Sequence, residues 1–152
     1  MGAVYFYHLT RDGAAETLRA LLPRALGQGW QVEVRGTDPA EMARLDEALW
    51  LGPEEAFLAH GLSGGPHDAA QPVLLTTAPG GGRDCIMCVG GAEISAEEVA
   101  AAARVCILFD GMDGAAVDAA RRQWKALTGA GCAAQYWSQE SGRWEKKAEA
   151  GG

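Results

Sequence analysis

Residues 3–26, AVYFYHLTRDGAAETLRALLPRAL, decide the reading of the fold. Ala3 to Leu9 mixes β-branched and aromatic residues in one short run, which suits a strand buried on both faces. After the turn residues Arg11-Asp12-Gly13, the apolar positions Leu18, Leu21, Leu22, Ala25 and Leu26 recur at helical intervals, and Gly27 and Gly29 can close a helix there. A strand followed at once by an amphipathic helix opens an α/β sheet. The pattern continues outward. Trp30, Val32 and Val34 alternate with Gln31, Glu33 and Arg35, as in a strand with one face more polar. Asp38-Pro39-Ala40-Glu41 reads as a helix start: Asp38 is the N-cap, Pro39 sits in the first position and Glu41 is able to reach back to the cap. That helix should run to about Trp50 on the stripe Met42, Leu45, Leu49.

From Leu51 to Gln71, Gly and Pro break any period, and only Phe57-Leu58 could make a brief strand. Pro72 to Thr77 and Asp84 to Val89 are strand-like, and the glycine-rich connection Ala78 to Gly82 predicts that they pair as an antiparallel hairpin. Ser95-Ala96-Glu97-Glu98 is a capping box opening a short helix, followed by a strand at Val105 to Phe109. Asp113 to Thr128 should be a helix stopped by Gly129 and Gly131, and Cys132 to Trp137 a last strand. The polar residues from Ser138 onward look loosely held. The expected architecture is α/β, with a mainly parallel sheet, an inserted hairpin and flanking helices.

The chain has 152 residues, 48% of them hydrophobic, enough for one domain with its own core. Its net charge of −7 argues against broad binding to a nucleic-acid backbone. No apolar stretch approaches the ~18 residues of a membrane span, and the start lacks the pattern of a signal peptide. A cytoplasmic protein with no membrane partner is the expectation, and its four cysteines should be reduced.

Cys85-Ile86-Met87-Cys88 matches C-x-x-C, yet inside a strand residues three apart point to opposite faces, so core packing is the better reading. Gly61 to Gly65 and Gly80-Gly81-Gly82-Arg83 fit neither the phosphate-loop nor the dinucleotide-binding pattern. His60 and His67 could ligate a metal only with Asp68 as an unconvincing third ligand, and neither metal nor cofactor is expected. The adjacent carboxylates Asp46 and Glu47 diverge by about 100° on a helix and make no acid/base pair. His8 ends the first strand, where an active-site role would be conceivable in an α/β sheet. Trp50 and Phe57 suit either the core or a partner surface. Val117, Arg121, Trp124 and Lys125 follow at helical spacing and can share one face, joining aromatic area to cations in an otherwise acidic chain.

Several of these stretches resemble the chi subunit family of bacterial DNA polymerase III. The most specific is Arg44-Leu45-Asp46-Glu47-Ala48-Leu49-Trp50, followed by Pro53, Phe57, His60, Leu62 and Pro72-Val73. Phe6-Tyr7 and Ala120-Arg121-Arg122-Gln123-Trp124-Lys125 before Ala130-Gly131 support it. The resemblance implies a single-domain, Rossmann-like α/β fold without a nucleotide fingerprint and without catalytic activity of its own, over residues 1–137, with a polar C-terminal tail at 138–152. It further implies a component of the DNA polymerase III holoenzyme that bridges the clamp loader to single-stranded-DNA-binding protein by taking that protein's acidic C-terminal tail. By position, the tail-binding residues are Arg121, Trp124 and Lys125. Trp124 stands where the family more usually has Tyr, and Val117 where it has Lys. The same comparison puts the surface toward the psi subunit or clamp loader on Trp50 and Phe57. The competing reading is a small α/β hydrolase or other enzyme with His8 or His60 at a strand end. Direct nucleic-acid binding is not expected.

Overall fold

The opening apolar run forms strand β1 (Ala3–Leu9), and the periodic stretch after it forms helix α1 (Ala14–Gly27). A computed structural model describes residues 2–10, 13–50, 60–62, 71–78, 82–141 and 143–150. Along the chain follow β2 (Val32–Arg35), α2 (Pro39–Trp50), β3 (His60–Leu62), β4 (Val73–Thr76) and β5 (Cys85–Cys88). The remaining elements are α3 (Ala96–Ala101), β6 (Arg104–Asp110), α4 (Gly114–Gly129), β7 (Ala133–Ser138) and β8 (Glu145–Ala150). The described strands make one eight-stranded sheet in the order β3-β4-β2-β5-β6-β1-β7-β8. Each neighbouring pair is parallel except β7 and β8.

The caps explain where the helices begin. Asp38 Oδ1 accepts from Ala40 N at 3.0 Å, as its N-cap position requires. Glu41 does not reach back to it; its carboxylate lies against Gly90. Ser95 and Glu98 complete the expected capping box of α3. Helices α1 and α2 cover one face of the sheet, with Leu18, Leu22, Met42, Leu45 and Leu49 packed on Val32, Val34, Val73 and Leu75. On the other face, Val99 of α3 and Ala120 and Leu127 of α4 pack on Val4, Phe6, Ile86 and Ile107. Cys85 and Cys88 fall into these two opposite cores, as their spacing within a strand demands. Burial pushes the Cys88 thiol up to about 12, which keeps it protonated and inert.

The expected hairpin between β4 and β5 is not formed. Strand β2 lies between them and pairs in parallel with both, Val34 facing Leu75 on one side and Met87 on the other. A glycine-rich connection permits a tight turn but does not compel one, and burying Val32 and Val34 completely favours a strand with neighbours on both sides. The antiparallel pair sits instead at the sheet edge. Residues 145–150, expected to be loosely held, form β8 along β7. Trp144 just before it packs edge-to-face on Tyr7, centroids 5.2 Å apart, and supplies the apolar anchor that the charged sequence of β8 lacks. The strand considered at Phe57-Leu58 lies outside the described residues; β3 begins three residues after Phe57, at His60.

The polar side of β2 is buried rather than solvated. Glu33 and Arg35 are each 2% exposed on the face that carries α3. Arg35 Nε donates to Glu33 Oε2 at 2.8 Å, and its Nη2 donates to Glu98 Oε2 of α3 at 2.6 Å. The Arg35 guanidinium, with Ser95 assisting, holds the Glu98 carboxyl below its usual range despite some desolvation. This cluster ties the short helix α3 to the sheet.

Candidate functional site

Helix α4 starts where Asp113 Oδ1 accepts from Ala115 N at 3.0 Å, and it ends at Ala130, beyond which Gly131 takes a φ of 90°. Ala120 and Leu127 face the core, while Arg121, Arg122 and Lys125 are exposed. Trp124 is half-buried between these two sides. Its ring meets Phe6 edge-on at 5.4 Å and Tyr136 at 6.1 Å. Val117 packs on the same core one turn before Arg121. The four residues with shared spacing thus form a boundary, with Val117 and Trp124 at the core edge and Arg121 and Lys125 in solvent. Neither of these two cations makes an ion pair among the described residues.

Beside Arg121 lies a hollow of about 550 Å³, lined by His8, Thr10, Gly111, Met112, Val117, Arg121 and Glu140. Met112 is 80% exposed there, an apolar side chain offered to solvent. His8 Nδ1 is hydrogen-bonded to the Tyr136 hydroxyl at 2.7 Å, and its Nε2 lies 3.9 Å from Glu140 Oε1. Burial pushes the Tyr136 phenol up, Arg121 opposes this and Glu140 adds to it, so both charges act at this hydroxyl. A Cβ on Gly111 would stand 2.0 Å from the His8 ring, which is why glycine is needed there. His8 therefore does sit at a strand end, but held by Tyr136 and facing a carboxylate. Sequence reasoning missed Tyr136, Glu140 and Met112. The one available signal was position, since Met112 and Glu140 follow the carboxyl ends of β6 and β7 and Tyr136 lies within β7, next to β1.

Trp50 closes α2, on the sheet face opposite α4, and Phe57, His67 and Asp68 lie outside the described residues. Among the described residues, no group of three or more His, Cys, Asp or Glu is placed to hold a metal ion, and no helix is long and apolar enough to cross a membrane. The family model described as DNA polymerase III chi subunit, HolC, matches residues 1–135 of the chain. The chain belongs to that family. As a chi-family chain it is a DNA polymerase III subunit, and β8 lies beyond the residues matched. No curated protein matches it. A solved structure, the C-terminal domain of a possible DNA helicase from Lactobacillus plantarum WCFS1, is similar with a TM-score of 0.51 at 13% identity, over 72% of this chain and 74% of that one. At that identity the likeness shows the α/β fold alone.

Proposed function

We propose that this chi-family subunit binds the acidic C-terminal tail of single-stranded-DNA-binding protein across α4, and so links that protein to the clamp loader. The observation that carries the reading is the unpaired, exposed pair Arg121 and Lys125 on either side of half-buried Trp124. Aspartates and a terminal carboxylate need cations, and a final apolar side chain needs a seat such as the one Trp124, Val117 and Met112 offer. The protein and the tail are both net negative, so attraction depends on this local patch and weakens with salt over a Debye length of ~8 Å at physiological ionic strength. In calorimetric titration with a synthetic tail peptide, the Arg121→Ala/Lys125→Ala double variant should lose about 1–3 kcal/mol of binding free energy. Equal binding by both proteins would overturn the assignment.

The second contact, to a psi subunit or directly to the clamp loader, is assigned by position to Trp50 and Phe57. Its support is that α2, which Trp50 ends, packs on the face of the sheet away from α4, so two partners can be held at once. Changing both to Ala should weaken clamp-loader association in a pull-down and leave tail binding intact. The enzyme alternative has no comparable support: His8 is engaged by Tyr136.

A further inference from the structure

The hollow beside Arg121 holds a side chain to which the tail contacts above give no role. His8 lies near the end of β1 with its side chain 13% exposed, and its two ring nitrogens are unequally served. Nδ1 is taken by the Tyr136 hydroxyl at 2.7 Å. Burial raises the Tyr136 phenol above its ordinary value, so it keeps its proton and has it to donate to Nδ1. The hydrogen of the neutral ring then stands on Nε2, the atom nearer the Glu140 carboxylate, which is an acceptor and calls for a donor. Glu140 Oε1 is 3.9 Å away, too far for a hydrogen bond, and Nε2 makes none among the described residues. Gly111, also in the lining, has no Cβ, which leaves the ring its room there. The charges around the ring come from two sides. Glu140 follows β7, Arg121 belongs to α4, and both act on the Tyr136 hydroxyl that His8 meets. From β6, Phe109 presents its ring at 5.1 Å, while Asp110 accepts from Met112 N through Oδ1.

Val117 and Met112 line the same hollow, and they belong to the seat given above to the tail's final apolar side chain. That side chain and the terminal carboxylate share one Cα, so seating the first brings the second into the hollow. We propose that His8 is a further tail-binding residue, whose Nε2 takes the terminal carboxylate together with Arg121 and displaces Glu140. The inference rests on the tail-binding reading and adds to it a subsite for the chain end and a dependence on pH. Glu140 is the internal stand-in for the ligand: its carboxylate already faces Nε2, and being 64% exposed it is free to turn out to water when another carboxylate enters. An imidazole takes up a proton between pH 5 and 8, and protonation turns the Nε2 donor into a charged one. A bound carboxylate favours the protonated ring, so binding takes up protons and tightens as pH falls.

The probe is an N-acetylated acidic peptide ending in phenylalanine with a free carboxylate, with a twin amidated at that end, titrated calorimetrically into the full chain between pH 8 and pH 6. Aspartate, lysine and arginine side chains ordinarily keep their charges over that range. The free-carboxylate peptide should bind the wild type about fivefold tighter at pH 6 than at pH 8, the strong end for a partly exposed ion pair. The amidated twin should gain less than about twofold. His8→Gln should flatten the profile of the free-carboxylate peptide and leave its affinity at pH 8 near that of the wild type, because an amide still donates. Should that variant fold poorly, the two peptides decide on the wild type alone. In NMR titrations the His8 ring should gain its proton at a higher pH with the free-carboxylate peptide bound than without it. Tail binding that is lost in Arg121→Ala/Lys125→Ala, yet has one pH profile for both peptides, would overturn the role of His8 and leave the tail-binding reading standing. Equal binding by that double variant and the wild type, or no binding at any pH, would overturn both.

Discussion

Arg35 and Arg121 use the same side chain to opposite ends. Arg35 is buried between Glu33 and Glu98, and its guanidinium is spent on holding α3 to the sheet. Arg121 stands in solvent without an ion-pair partner among the described residues, one turn from Lys125. The first has already been desolvated and matched, so its removal is felt in the fold. The second keeps its charge available, so under the proposed tail-binding function its removal should be felt in binding. The difference teaches that the surroundings of a cation, and not its type, decide whether it is spent on the fold or left open to a partner.

The comparison breaks most sharply at Arg35. Arg35→Leu leaves two carboxylates without their cation and should cost about 3–5 kcal/mol in urea unfolding, the penalty for breaking a buried ion pair from one side. The same contact makes stability pH-dependent. The Glu98 carboxyl titrates lower in the folded state than its ordinary 4.5, so its contribution is present above that pH and is lost as pH falls through the lowered folded value. Urea midpoints measured from pH 7 downward should fall in that acid window for the wild type, and the slope should flatten in Arg35→Leu.

Trp124→Ala tests the boundary between the two regimes. Losing a half-buried ring that contacts Phe6 and Tyr136 should lower stability by about 2 kcal/mol, less than for a fully buried Trp, and should weaken tail binding as well. Arg121→Ala/Lys125→Ala should leave stability within about 0.5 kcal/mol of wild type, because both side chains are exposed and unpaired. A large drop in melting temperature for that double variant would erase the contrast with Arg35. The smallest effect is expected at Glu140, whose exposed carboxylate shares the hollow with Arg121. Glu140→Gln should tighten tail binding about twofold, measured by the same titration at low salt.

Period and caps made most of the elements readable: Asp38, Ser95 and Asp113 mark the starts of α2, α3 and α4 where the structure has them. Pairing was less legible. Strands β4 and β5 are close in sequence and joined by glycines, which invites a hairpin, whereas what separates them is a competition for the buried strand β2 that no local window contains. Strand β8 was missed because Glu145-Lys146-Lys147-Ala148-Glu149 has little strand propensity, and its order comes from β7 and Trp144. At the site, the helical spacing of Arg121, Trp124 and Lys125 could be read directly. The hydrogen bond between His8 and Tyr136 could not, since the register of β1 against β7 alone creates it.

The place of β1 in the sheet has a further consequence, for the order of events in folding. Strand β1 pairs only with β6 and β7, Ala3 facing Arg104 on one side and Ala133 on the other. It cannot enter the sheet until most of the chain has been made, a delay of roughly 5–20 s at ordinary translation rates of ~5–20 residues per second. Through that interval the apolar run AVYFYHL is an open strand edge, and loop closure over about a hundred residues must precede its pairing. Folding of this subunit is therefore set to be slow and late, with β1 waiting for β6 and β7, both distant in sequence, to be made.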